Sequence, residues 1–80
     1  MNNNIVEVLE FIAKSIVTNK DDVAIREEAT ESAVILHLSV AESDKGQVIG
    51  KQGRIINSIR EIVKTASRGM EKRYMVEIDE

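Results

Sequence analysis

The hydrophobic period changes three times along the chain, and each change marks an element. Ile5, Leu9, Ile12 and Ile16 are joined by Val8, Phe11 and Ala13. That spacing is helical and predicts a helix over 4–18. Asn4 and Glu7 stand at capping-box spacing, with Asn as the cap. Asn19-Lys20-Asp21-Asp22 is a polar break. Val23 to Thr30 reads as a short strand, although Glu27 and Glu28 are weak strand formers. Glu31-Ser32 is the turn, and Ala33 to Ala41 is the clearest strand. Val34, Leu36, Leu38 and Val40 share one face, and Ala33, Ile35, His37 and Ser39 the other. A connection this short makes the two strands an antiparallel hairpin.

Ser43 and Asp44 stand where they can cap a short helix running to about Ile49. Gly50-Lys51-Gln52-Gly53 interrupts it, and a longer helix follows. Ile55, Ile56, Ile59, Ile62, Val63 and Ala66 form its expected buried stripe. Arg54, Asn57, Arg60, Glu61, Lys64 and Arg68 form its wet face. Gly69 stands where a glycine stop belongs. Arg73 to Asp79 is the last strand, with Tyr74, Val76 and Ile78 on one face. The order is α-β-β-α-α-β. A two-helix crossover makes strands 33–41 and 73–79 parallel neighbours, with a right-handed connection. The expected fold is α+β: a three-stranded mixed sheet covered on one face by three helices.

Eighty residues suffice for one domain over 1–80. There is no cysteine, so disulfides and thiolate-bound metals are excluded and packed aliphatic side chains must hold the fold. No apolar run approaches the roughly 20 residues of a membrane span. The N-terminus lacks the basic start of a signal peptide. The expectation is a soluble, cytoplasmic protein.

The net charge of −3 argues at first against a nucleic-acid partner, but its distribution argues for one. Residues 1–44 carry three basic and nine acidic side chains, a net of −6. Residues 45–73 carry eight basic side chains against Glu61 and Glu71, a net of +6. The tail 74–80 adds −3. This predicts one basic face on an acidic body.

The basic stretch holds the informative segment, Asp44 to Ile56. Two glycines three apart between helices permit a tight turn and close backbone approach. The helix after Gly53 presents backbone N–H groups that favour a phosphate oxygen. Lys51 and Arg54 add positive charge, so the segment has the chemistry of a phosphate-backbone clamp.

Val48-Ile49-Gly50-Lys51-Gln52-Gly53, followed by Ile56 and Ile59, resembles the signature of KH domains. Their G-x-x-G loop clamps about four nucleotides of single-stranded RNA or DNA. The element order resembles the type II KH arrangement. Chain size and the wording from Asp44 to Arg60 are similar to the small bacterial single-KH proteins. The resemblance covers essentially the whole chain. It implies a cytoplasmic RNA-binding protein with no cofactor. It also implies a homodimer, or a heterodimer with a larger KH-containing RNA-binding protein. Position by position, it implies that Gly50 and Gly53 shape the loop and that Lys51 and Gln52 point toward the sugar-phosphate backbone. Gly46 lets that backbone come close, Ile49 and Ile55 line an apolar groove floor, and Arg54 borders it. Gln47 departs from the Lys or Arg that many KH sequences carry there, which removes one phosphate partner. In this arrangement the far groove wall is expected to be the strand over 23–30 and its turn, carrying Glu27, Glu28 and Glu31.

Other chemistries fit less well. Gly46 to Gln52 lacks the spacing of a nucleotide-binding Walker loop, and Gln52 replaces its Mg²⁺-holding hydroxyl. His37 lies mid-strand with no partner in view and reads as a sheet residue. Asp21-Asp22 and Glu27-Glu28 read as solvated residues and not as a general acid/base pair. Ser43 has no base in view and reads as a cap. Phe11 and Tyr74 are too few for the stacked aromatic platforms of an RRM or OB-fold. The chain is therefore read as a non-enzymatic RNA-binding module. The alternative is a protein-interaction subunit that docks a larger KH-containing partner, with RNA binding secondary.

Overall fold

The computed structural model describes residues 4–79, with Asn4 as backbone only. The cap expected from the Asn4 side chain therefore lies outside the described residues. The elements are α1 (Asn4–Ile16), β1 (Ala24–Ala29), β2 (Ala33–Ser39), α2 (Lys45–Ile49), α3 (Arg54–Ala66) and β3 (Arg73–Ile78). They occur in the expected order, each strand and the first helix ending slightly sooner than its periodicity suggested.

The sheet order is β1-β2-β3. β1 runs antiparallel to β2, with Ile25 opposite Leu38 and Glu27 opposite Leu36. β3 runs parallel to β2, with Leu36 opposite Val76. The alternation in β2 decides which face is covered. Val34, Leu36, Leu38 and Val40 are buried under the helices, while Ile35, His37 and Ser39 are half-buried on the open face. α1 contributes Ile5, Leu9 and Ala13 to the core, with Val17 just after it, α2 contributes Val48, and α3 contributes Ile56, Ile59 and Val63. Each Val, Leu or Ile side chain among them contributes about 1.5–3 kcal/mol by leaving water. α1 packs over β1 and α3 over β3.

Three apolar residues expected in the core, Phe11, Ile62 and Ala66, are not in it. Phe11 is 74% exposed and Ile62 46% exposed. Phe11 follows Leu9 by two residues, which turns it about 200° round the helix and away from the sheet. Ile62 and Ala66 lie on the shoulder of α3, leaving a narrower buried stripe than the sequence pattern suggested. Gly69 is also displaced from its expected role. α3 closes at Ser67, whose N–H donates to the Val63 carbonyl, and Gly69 adopts φ +89° two residues later.

Asp44 does not cap α2 with its side chain, as expected, but turns back to the end of α1. Its carboxylate accepts the N–H groups of Thr18 at 3.1 Å and Asn19 at 3.0 Å, and the Asn19 side-chain amide at 3.1 Å. This ties the α1–β1 connection to the start of α2. The Asn19 backbone N–H, then that of Thr18, hold the carboxyl below its ordinary value of 3.8. A lowered folded pKa gives a contribution that is full above the unfolded value and is lost as pH falls through the folded one. The Asp44→Asn variant is therefore expected to melt below wild type at pH 7. The gap should close only as the solution is acidified below pH 3.8, read by thermal denaturation across pH.

Candidate nucleic-acid interface

α2 ends where the Gly50 N–H donates to the Gly46 carbonyl at 2.8 Å. Gly50 then takes φ 78°, ψ 175°, a region essentially restricted to glycine. A Cβ there would lie 2.7 Å from Ile55 Cγ1, because Ile55 packs directly against the turn. A single 3₁₀ turn over Lys51–Gly53 follows. It is closed by the Gly53 N–H donating to the Gly50 carbonyl at 3.2 Å. Gln52 is left-handed at φ 56°, ψ 27° and Gly53 likewise at φ 75°, ψ 15°. Successive left-handed residues reverse the chain and push the Lys51 and Gln52 side chains into solvent. Among the described residues, Lys51, Gln52 and Arg54 have no ion pair or side-chain hydrogen bond, and all three are exposed. The loop thus holds unspent donors on a constrained backbone.

Gly46 is exposed, and a Cβ there would meet nothing within 4 Å. The fold itself does not require glycine at this position. Ile49 and Ile55 are half-buried against the core on either side of Gly50, so the loop rests on an apolar base.

The basic side of α3 continues from the loop. Gly53, Asn57, Arg60 and Lys64 follow at four, three and four residues and so form one line down the helix. That line faces β3. Arg60 Nε donates to the Val76 carbonyl at 3.0 Å, and Arg60 Nη1 to Asn57 Oδ1 at 3.2 Å. Between helix and strand lies a cleft of about 570 Å³ lined by Arg60, Lys64, Arg73, Tyr74, Met75, Val76 and Glu77. Arg60 and the cleft it overhangs were not singled out in the sequence. The i, i+4, i+8 spacing of Arg60, Lys64 and Arg68 below the glycine loop was the available signal, and it read only as a wet helix face.

The wall expected from the strand over 23–30 is not there. β1 forms the opposite edge of the sheet, under α1, so the strand beside the cleft is β3. Glu28 lies on the open face of the sheet, where its Oε1 meets His37 Nε2 at 2.7 Å. His37, expected to lack a partner, therefore has one, and Asp79 Oδ1 is 3.6 Å from its Nδ1. The strand register brings these groups together from β1, β2 and the residue that follows β3. Ser43 Oγ accepts the Asn19 side-chain amide at 3.2 Å and serves the α1 junction.

Among the described residues no group of His, Asp and Glu side chains is arranged to hold a metal ion. Nor is any described helix long and apolar enough to cross a membrane.

Comparison with known proteins covers nearly the whole chain. The family model described as KhpA/KhpB, KH domain, matches residues 6–78. The chain is 49% identical over 72 residues to the RNA-binding protein KhpA of Clostridium acetobutylicum, covering 90% of this chain and 96% of that protein. It is 47% identical over 72 residues to the protein of that name from Clostridium perfringens, with the same coverage. It is 40% identical over 72 residues to that of Aquifex aeolicus, covering 90% of this chain and 91% of the relative.

Proposed function

The chain belongs to the KhpA/KhpB KH-domain family, and from that premise we propose that it binds single-stranded RNA across the Gly50–Gly53 loop and the α3–β3 cleft. The observation that carries the reading is the loop itself. Gly50 holds its backbone in glycine-only geometry, while Lys51, Gln52 and Arg54 stand exposed with no side-chain partner among the described residues. Phosphate oxygens meet backbone N–H groups at the start of α3 and the flanking cations. Gly46 is glycine for the ligand's sake, letting the sugar-phosphate chain lie against α2. Ile49 and Ile55 give bases an apolar floor. Cations from Arg54 to Lys64 carry the strand along α3 toward β3. With β3 as the far wall, Glu27, Glu28 and Glu31 do not face the RNA, and the acidic half of the chain does not oppose binding. The reading assigns no reaction to the chain and no cofactor. Its place is the cytoplasm, in post-transcriptional control or RNA chaperoning.

Salt tests this directly. A site neutralising about two to four phosphates of a single strand gives log K against log salt a slope of about −1.5 to −3. A flat response measured by fluorescence anisotropy would remove the phosphate-led reading and favour the protein-docking one.

One groove grips about four nucleotides, which limits both affinity and information. A second groove supplied by another chain can raise avidity by roughly 10²–10⁴. We therefore place the working unit as a homodimer or a pair with a larger KH-containing RNA-binding protein. Exposed Phe11 and Ile62 on the helical layer favour that side for docking over the edge strand β3.

A further inference from the structure

We propose that the free edge of β1 takes up an extended basic segment of a partner protein as a fourth strand. This edge and the α3–β3 cleft lie on opposite sides of the sheet, so the contact stands apart from the RNA reading.

The ladder fixes which backbone groups of β1 face outward. The Thr30 N–H donates to the Ala33 carbonyl at 2.7 Å, which makes Thr30 and Ala33 a hydrogen-bonded pair across the hairpin. Such pairs recur at every second residue of an antiparallel ladder. Ala24, Arg26 and Glu28, opposite Ser39, His37 and Ile35, therefore bond to β2. Leu38, opposite Ile25, has the same phase, because its carbonyl turns the other way and accepts the Asp79 N–H at 2.8 Å. Ile25, Glu27 and Ala29 thus turn both N–H and C=O outward. Among the described residues no strand lies beyond β1, so this edge is open.

Charge decides which strand can pair there. From 21 to 31 the chain carries Asp21, Asp22, Glu27, Glu28 and Glu31 against Arg26, and all six are exposed. Two copies of β1 laid edge to edge would bring these anions together, and like charges opposite one another are destabilising. β3 of a second copy is no better match. It carries Glu77 as well as Arg73, and its Val76 carbonyl already accepts from Arg60 Nε. A basic strand meets neither obstacle. Its backbone extends the ladder and its cations meet the anions, which is recognition by strand addition. Side chains add a further element. Between α1 and the start of β1 lies a cavity of about 150 Å³ lined by Val6, Glu10, Val23, Ala24 and Ile25. It suits one aliphatic side chain of the incoming segment. The partner is therefore an extended run of Lys or Arg with an aliphatic residue opposite Ile25.

The test uses the full chain and a fluorescein-labelled octapeptide of alternating lysine and valine, read by anisotropy. An octapeptide of alternating glutamate and valine is the comparison. The lysine peptide is expected to bind about tenfold or more tighter than the glutamate one, and to weaken with salt. On binding, amide hydrogen exchange should slow at Ile25 and Ala29 and stay unchanged at Lys51 and Gln52. Ala29→Pro removes one outward N–H that the ladder to β2 does not use, and edge strands accept proline at such positions. It should weaken the lysine peptide by roughly three- to tenfold, the worth of about one hydrogen bond, with RNA affinity unchanged. Should this variant melt early, the Asp22→Lys, Glu31→Lys double variant keeps the strand intact and should weaken the peptide by a similar factor. Equal binding of the two peptides, or no binding of the lysine peptide, overturns the inference. So does binding that leaves exchange at Ile25 and Ala29 as fast as before, since the peptide then merely adheres to an acidic surface. Wild type that fails to bind RNA removes the RNA reading and leaves the peptide result standing, so the two fail separately.

Discussion

A chain carrying Asp at both Lys51 and Gln52 is expected to keep its melting temperature and to lose RNA affinity by about tenfold or more. The fold should survive because neither side chain is used by it. Both are exposed, and neither forms an ion pair or side-chain hydrogen bond among the described residues. Position 52 is left-handed at φ 56°, and Asp is one of the few residues besides glycine that enters that region readily. The two glycines stay, so the loop keeps its shape. What changes is charge: one cation and one neutral amide become two anions where phosphates are expected. At contact distance such repulsion is felt strongly even in a partly wet site. Unaltered RNA binding by the folded double variant would rule out the loop as the phosphate clamp and leave the α3–β3 cleft to act alone.

Gly50→Ala is expected to damage the fold before it damages binding. Two independent costs meet at this residue. The backbone at φ 78°, ψ 175° is strained for any residue with a Cβ, by about 1–3 kcal/mol. The added carbon would also sit 2.7 Å from Ile55 Cγ1 and 2.9 Å from its Cβ. Those atoms lie near the root of a packed, β-branched side chain and cannot swing aside, and overpacking of this kind costs about 1–3 kcal/mol. Together they should lower the melting temperature by roughly 10–30 °C in a domain of this size. The matching control is Gly46→Ala, which meets no neighbour within 4 Å and has no positive φ. It should leave stability unchanged or slightly raised, since alanine is the better helix former. Equal melting temperatures for the two variants would show that the turn tolerates a Cβ and that its glycine is not there for geometry.

The elements were legible in the sequence because their cause is local. Four-and-three spacing from Ile5 to Ile16 can bury one side only as a helix, and alternation from Val34 to Val40 only as a strand. The short link at Glu31-Ser32 left the hairpin no other pairing, and a two-helix crossover required the parallel one. Gly50 and Gly53 marked the loop, since such turns need residues without a Cβ. Other features depended on which elements lie side by side, and no period encodes that. The strand order moved the expected wall from β1 to β3 and took three glutamates out of the argument. Register across three strands gave His37 its carboxylate neighbours. The face that α3 turned to the sheet left Ile62 outside a core that its hydrophobicity had suggested it would join. Asp44 looked like a cap for the helix it precedes, yet it caps the turn after α1, because packing brought two orphan N–H groups within its reach. Arg60 read as one more wet-face cation until the open edge of β3 was found beneath it. Local spacing determines what each segment becomes. Which donors meet which acceptors is decided only when segments distant in the chain pack together.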